Sequence, residues 1–131
     1  MTLNTPLSRE RLQDLVRSVG GELAFKDLMR RFYRAMTTDV LIGFFFNGKD
    51  VDTVADKQSS FVLHSAGLIQ SPPEHGPATA HRNLAPILKG HFDRRLRILE
   101  ETLRAGGVSE KDISTWVGFE ESFRKVVESK T

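Results

Sequence analysis

The stretch GGELAFKDLMRRFYRAM, residues 20–36, decides how the rest of the chain is read. Gly20-Gly21 closes whatever precedes it, because glycine readily takes the left-handed conformation that ends a helix. From Glu22 onward, Phe25, Leu28, Met29, Phe32, Tyr33 and Met36 recur at three- and four-residue intervals, while Lys26, Arg30, Arg31 and Arg34 fall on the opposite side. That spacing predicts an amphipathic helix of about three turns. Its apolar stripe has one polar intrusion, the hydroxyl of Tyr33, and this is the single tyrosine of the chain. A hydroxyl buried without a partner costs about 1 to 3 kcal/mol, so position 33 calls for an explanation from elsewhere in the fold.

Upstream, Leu12, Leu15, Val16 and Val19 repeat at helical spacing behind the cap residue Ser8, which predicts a first, short helix. Downstream, Thr37, Thr38 and Asp39 break the second helix, and a Phe-rich turn through Phe44, Phe45 and Phe46 ends in Asn47-Gly48. A third helix is expected from Asp50 or Asp52 to about Gly67, with Val51, Val54, Gln58, Phe61, Val62 and Ser65 on its inner face. Gln70 to Pro77 reads as an extended loop, since Pro72-Pro73 resist helix. A short fourth helix around 78–84 carries His81, and Pro86 limits it. Phe92, Leu96, Leu99 and Leu103 mark a fifth helix closed by Gly106-Gly107, with Arg95 inside its stripe. Ser109 with Asp112 resembles a capping box for a sixth, built on Ile113, Trp116, Val117, Phe123 and Val127. No strand pattern competes, so the fold class is all-α.

A chain of 131 residues has room for one core, and 1–131 reads as one domain with 1–7 as a flexible N-terminal segment. Nineteen basic and 17 acidic residues are interspersed to a net +2, too even a distribution for a nucleic-acid groove. The absence of cysteine removes disulfides, thiolate ligation and thiol catalysis together. The longest apolar run, Val40 to Phe46, falls far below the roughly 20 residues of a membrane span, and Met1 to Glu10 has no signal-like apolar stretch. A cytoplasmic protein without a membrane partner is expected, as a monomer or weak dimer.

Consecutive helices thus each set a polar residue in an apolar stripe: Tyr33, Gln58, His81 and Arg95. Singly, each has an ordinary explanation. A core tyrosine bonds a nearby carbonyl, a glutamine bonds across a helix contact, a histidine is structural, and an arginine lies at a stripe's wet edge. Jointly, and beside the Phe44 to Phe46 cluster, they are consistent with convergence on one ligand. None of the four histidines has zinc-like spacing, and without cysteine the metal site best supported is porphyrin iron held by one neutral imidazole. His91 is the rival ligand, although a capping role at the start of the fifth helix suffices for it. His64 and His75 read as helix-surface and loop residues.

With these residues in view, the segment from Gly20 to Val127 resembles the truncated haemoglobins, shortened globins with a two-over-two helical sandwich around haem b. The resemblance is carried by Gly20-Gly21, Arg31-Phe32-Tyr33, Phe45-Phe46-Asn47-Gly48, Lys57-Gln58, Phe61, Gly67 and Ala80-His81, at spacings like the family's first group. The runs Leu84-Ala85-Pro86-Ile87 and His91-Phe92-Asp93-Arg94 look more like another group. The resemblance implies haem b as cofactor, His81 as proximal iron ligand and Tyr33 as principal distal hydrogen-bond donor. It places Gln58 at the second distal polar position, Val54 where other members carry a polar group, and Phe46 against the porphyrin face. Phe45, Phe61, Leu84 and Phe92 complete the cofactor bed, and Lys57 matches a position that reaches a propionate. Arg95 falls where several members have a distal-facing tryptophan. Three roles are open to it, in the order propionate partner, approach to the iron ligand, and solvent.

The function implied is binding, storage or sensing of oxygen or nitric oxide, with Tyr33 and Gln58 stabilising the bound ligand. An alternative is a nitric oxide dioxygenase, which needs a separate reductase because the chain has no flavin or nicotinamide fingerprint. A weak peroxidase with Arg95 polarising peroxide, and a haem-free helical interaction domain, are further alternatives.

Overall fold

The computed structural model describes residues 8–70 and 86–128. Ser8 caps α1 (Arg9–Ser18), its hydroxyl accepting from the backbone N–H of Arg11 at 3.2 Å. Gly20 and Gly21, at φ of 120° and 103°, then turn the chain into α2 (Glu22–Thr37), as the glycine pair predicts. A 3₁₀ turn over Gly43–Phe46 carries the phenylalanines. Asp50 caps α3 (Val51–Ser65), and Gly67 at φ 74° closes it with Leu68 N–H bonding back to the carbonyl of Leu63. The second half comprises α4 (Lys89–Ala105), α5 (Glu110–Glu121) and a single turn, α6 (Arg124–Val127). The predicted loop after Gln70 and the short helix around 78–84, with His81 and Leu84, lie outside the described residues, as does 1–7.

Helix α2 is the hub. It packs along α3 on one side and against α4 on the other, α4 packs on α5, and α1 closes the end against α5 and α3. All six apolar positions read from the second-helix stripe are buried. Phe25 stacks on Trp116 of α5, ring centroids 4.5 Å apart and 17° from parallel, and Met29, Phe32, Leu99 and Leu103 fill the layer beside them. Side chains of this size each contribute about 1.5 to 3 kcal/mol on full burial, so this layer is the main source of stability. On the solvent side the α2–α3 register is fixed by two forked pairs. Arg30 grips Asp56 and Arg34 grips Asp52, with Nη2–Oδ2 distances of 2.7 Å in both.

Three expectations need correction. The buried stripe of α3 is Ala55, Ser59, Val62 and Leu63, about one residue round from the expected face, because small side chains let α2 and α3 approach closely. Val51, Val54, Gln58, Phe61 and Ser65 lie on the half-buried flank. Asp112 is not the reciprocal member of a capping box. Ser109 caps α5 by accepting from Asp112 N–H, but the Asp112 carboxylate accepts from Ser18 Oγ at 2.5 Å and ties α5 to the end of α1. The sixth predicted helix also breaks at Ser122 before α6, and its inner face includes Phe119 and Glu120.

Candidate functional site

The last two turns of α2 bring Tyr33 into the core at 5% exposure. Its ring meets the edges of Phe32 and Phe46 at centroid distances of 5.3 and 5.8 Å. Helix α4 supplies the partner that the hydroxyl needs: Arg95 Nη2 donates to Tyr33 Oη at 3.2 Å. The same guanidinium forks onto Glu120 of α5, with Nε–Oε2 at 3.2 Å and Nη2–Oε2 at 3.1 Å, and directs Nη1 at Met36 Sδ, 3.6 Å away. Its carbon lies 4.9 Å from the Phe32 ring centroid and 5.3 Å from that of Tyr33, so the cation also rests against two aromatic rings.

Arg95 is therefore not at a solvated edge: its side chain is only 14% exposed and its guanidinium is engaged by Glu120 and Tyr33. A buried guanidinium demands a buried acid, and Glu120 supplies it. Burial opposes the charge on Arg95, but the Glu120 carboxylate and the Tyr33 hydroxyl more than offset this and hold its pKa above the ordinary value. For Tyr33, burial pushes the pKa up, Arg95 pulls it down and Glu120 pushes it up, with a raised net result. The phenol stays protonated at neutral pH. A tyrosine hydroxyl has one proton and two lone pairs. Among the described residues, its only hydrogen bond is the one it accepts, and its proton has no protein acceptor.

Against the core cluster lies an apolar surface that is only partly covered. Phe45 and Phe46 from the 3₁₀ turn, Val51, Val54 and Phe61 from α3, and Phe123 are half-buried against the core cluster to which Tyr33 belongs. Gln58 sits between Val54 and Phe61 on this flank, half-buried, and its amide makes no hydrogen bond to a described residue. Phe61 is braced by the edge of Phe123, which in turn meets Phe119. Lys57 is exposed on α3. Phe92 is buried and covered by the Arg124 guanidinium, 4.6 Å from its ring centroid. His91 Nδ1 accepts from Leu88 N–H at 3.0 Å, the capping role read from the sequence, and its ring lies against Phe44 and Phe45. His64 is not a plain surface residue, since its Nδ1 is buried and without a partner among the described residues.

The structure thus brings Tyr33 and Arg95 together with Phe46 and with Glu120, an acid that the sequence reading does not flag, while Phe45, Val54 and Phe61 are packed, partly buried, on the core cluster. The available signal was Arg95 itself: a cation within an apolar stripe implies an acid on the facing helix, and Glu120 continues the Ile113–Trp116 face of α5 by one turn.

This arrangement of helices is one already seen in proteins of known structure. The truncated hemoglobin from Tetrahymena pyriformis, in its Fe(III) form, aligns with a TM-score of 0.78 and 26% identity, covering 88% of this chain and 98% of that one. The 2/2 hemoglobin from Synechococcus sp., in the cyanomet state and with covalently attached heme, aligns with a TM-score of 0.75 over 86% of this chain and 97% of that one. At 24% identity the second likeness is one of fold. No curated protein sequence matches the chain. The all-α fold is that of the truncated, two-over-two globins. The profile of bacterial-like globins matches residues 14–129, nearly the whole length including every element around Tyr33, and the chain belongs to that family.

Proposed function

We propose that this globin holds haem b against the half-buried apolar flank and receives a diatomic gas, oxygen or nitric oxide, beneath Tyr33. The observation that carries the reading is the Tyr33 hydroxyl, buried, accepting from Arg95, with no acceptor for its own proton among the described residues. The partly covered phenylalanines and valines packed on the same core suit a flat apolar group, and the donor set without thiolates suits a single imidazole. His81 would bond the iron, Phe45, Phe46, Phe61 and Leu84 would line the porphyrin, and Lys57 would serve a propionate. Haem, when bound, would supply an iron able to take oxygen, nitric oxide or carbon monoxide.

The remaining work is done by the chain. Tyr33 directs its proton at a ligand that gathers negative charge, the Gln58 amide offers a second donor, and Val54 adds no competing ligand. Such donors favour polar oxygen over the nearly neutral carbon monoxide. The test is an absorption spectrum of the reduced full chain after haem is supplied. An intense Soret band is expected, lost or altered in ligation in His81→Gly. A colourless product, or unaltered ligation in that variant, overturns the proposal. If the distal bond contributes about 1 kcal/mol net, Tyr33→Phe speeds oxygen release roughly fivefold. An unchanged rate removes Tyr33 from the role.

A further inference from the structure

The Arg95–Glu120 pair lies in the core, covered by α2, α4 and α5, where the structural requirements of packing alone call for neither charge. Isolated charges are seldom buried, and a buried pair is about as stable as a well-packed apolar replacement, so its presence needs a reason other than stability. Its geometry supplies one. Glu120 takes the Nε edge of the fork, which fixes the guanidinium plane and presents one remaining Nη2 hydrogen to Tyr33 at 3.2 Å.

We propose that Arg95, held by Glu120, is a positioning residue that makes Tyr33 a one-way donor toward the ligand. This rests on the haem and gas-binding reading above. With an N–H seated on one lone pair, the phenol cannot swing its proton toward that side, and acceptance from a cation strengthens the O–H as a donor. The ligands preferred are those that gather negative charge on the atom facing Tyr33. The charged groups that act on Tyr33 among the described residues are Arg95 from α4 and Glu120 from α5, and what the 3₁₀ turn brings against its ring is apolar, Phe46. Lysine does not replace Arg95, because an ammonium lacks the planar fork that serves Glu120 and Tyr33 together.

Because Tyr33 is the single tyrosine, the Fermi doublet of the phenol in the Raman spectrum reads this one hydroxyl, without haem as well as with it. In the full-length chain, its intensity ratio is expected to report an accepting hydroxyl, and Arg95→Leu is expected to shift it toward a donor-only or free hydroxyl. Arg95→Leu combined with Glu120→Leu leaves no unpaired charge and serves if the single variant does not fold. In the haem-loaded chain, either variant is expected to speed oxygen release by roughly three- to tenfold, the range of one hydrogen bond's net worth. In a Tyr33→Phe background, Arg95→Leu is expected to add nothing, since Arg95 acts through the phenol. Haem uptake with an unmoved doublet, or an equal effect of Arg95→Leu in both backgrounds, overturns the inference and leaves the gas-binding reading standing. A chain that takes up no haem overturns both.

Discussion

Removing the Glu120 carboxylate is the most informative single perturbation of the core. In Glu120→Leu the Arg95 side chain, only 14% exposed, keeps its charge but loses every bond to that carboxylate. Breaking a buried pair in this way typically costs about 3 to 5 kcal/mol, against a total stability of about 5 to 15 kcal/mol for a domain. At this chain length each kcal/mol moves the melting temperature by about 3 to 5 °C, so a fall on the order of 10 to 20 °C is expected. Arg95→Leu leaves an unpaired carboxylate and is expected to cost a similar amount. The double variant buries neither charge, and its stability is expected to return to within about 2 kcal/mol of the parent. Urea unfolding of all four proteins in the same haem state, monitored by the far-ultraviolet helix signal, closes the cycle. The coupling between the two sites is then expected at about 4 kcal/mol or more. Single variants that lose under about 1 kcal/mol, or a double that is merely the sum of the singles, would refute the claim that the two charges depend on each other in a buried setting.

Two further outcomes follow from local geometry. Asp39 accepts from Arg94 and from the N–H groups of Leu41 and Ile42, and these bonds hold its pKa below the ordinary carboxylate value despite the opposing effect of burial. Its stabilising contribution is thus complete above the unfolded pKa and is lost as pH falls through the lower folded value. Asp39→Asn is expected to cost up to about 1 kcal/mol at pH 7 through the weakened bond from Arg94, since the amide oxygen can still accept from the backbone, with the gap to the parent closing in acid, read from urea curves across pH. At buried Gly43 a Cβ would stand 2.6 Å from the Thr37 carbonyl oxygen, so Gly43→Ala is expected to destabilise by about 1 to 3 kcal/mol, and a thermal melt matching the parent would refute it.

The parts legible from the sequence were those where polarity and period agree. Ser8, Gly20-Gly21 and the Phe25–Met36 stripe located α1 and α2 because caps and large apolar residues have few alternative uses. The inner face of α3 was misjudged because close helix contact favours small residues, and Ala55 and Ser59 carry little hydropathic signal. The larger Val54 and Phe61 drew attention to the flank, which is the part bearing on the proposed site. Glu120 was hidden for a different reason. A lone glutamate on a helix reads as solvated, and only three-dimensional pairing with Arg95 reveals that it is 4% exposed. Asp112 likewise reads as part of its own helix end, whereas its carboxylate serves α1. The roles of His81 and Leu84 follow from the resemblance alone, and both residues lie outside the described residues.

The Arg95–Glu120 contact also constrains how this globin can change over generations. A lineage that lost either charge first would pass through a poorly folded ancestor, so the two positions are expected to drift as a couplet, retained together or exchanged together for greasy side chains. Homologues that abandon the couplet yet keep the phenol would be natural experiments in gas retention without the cation.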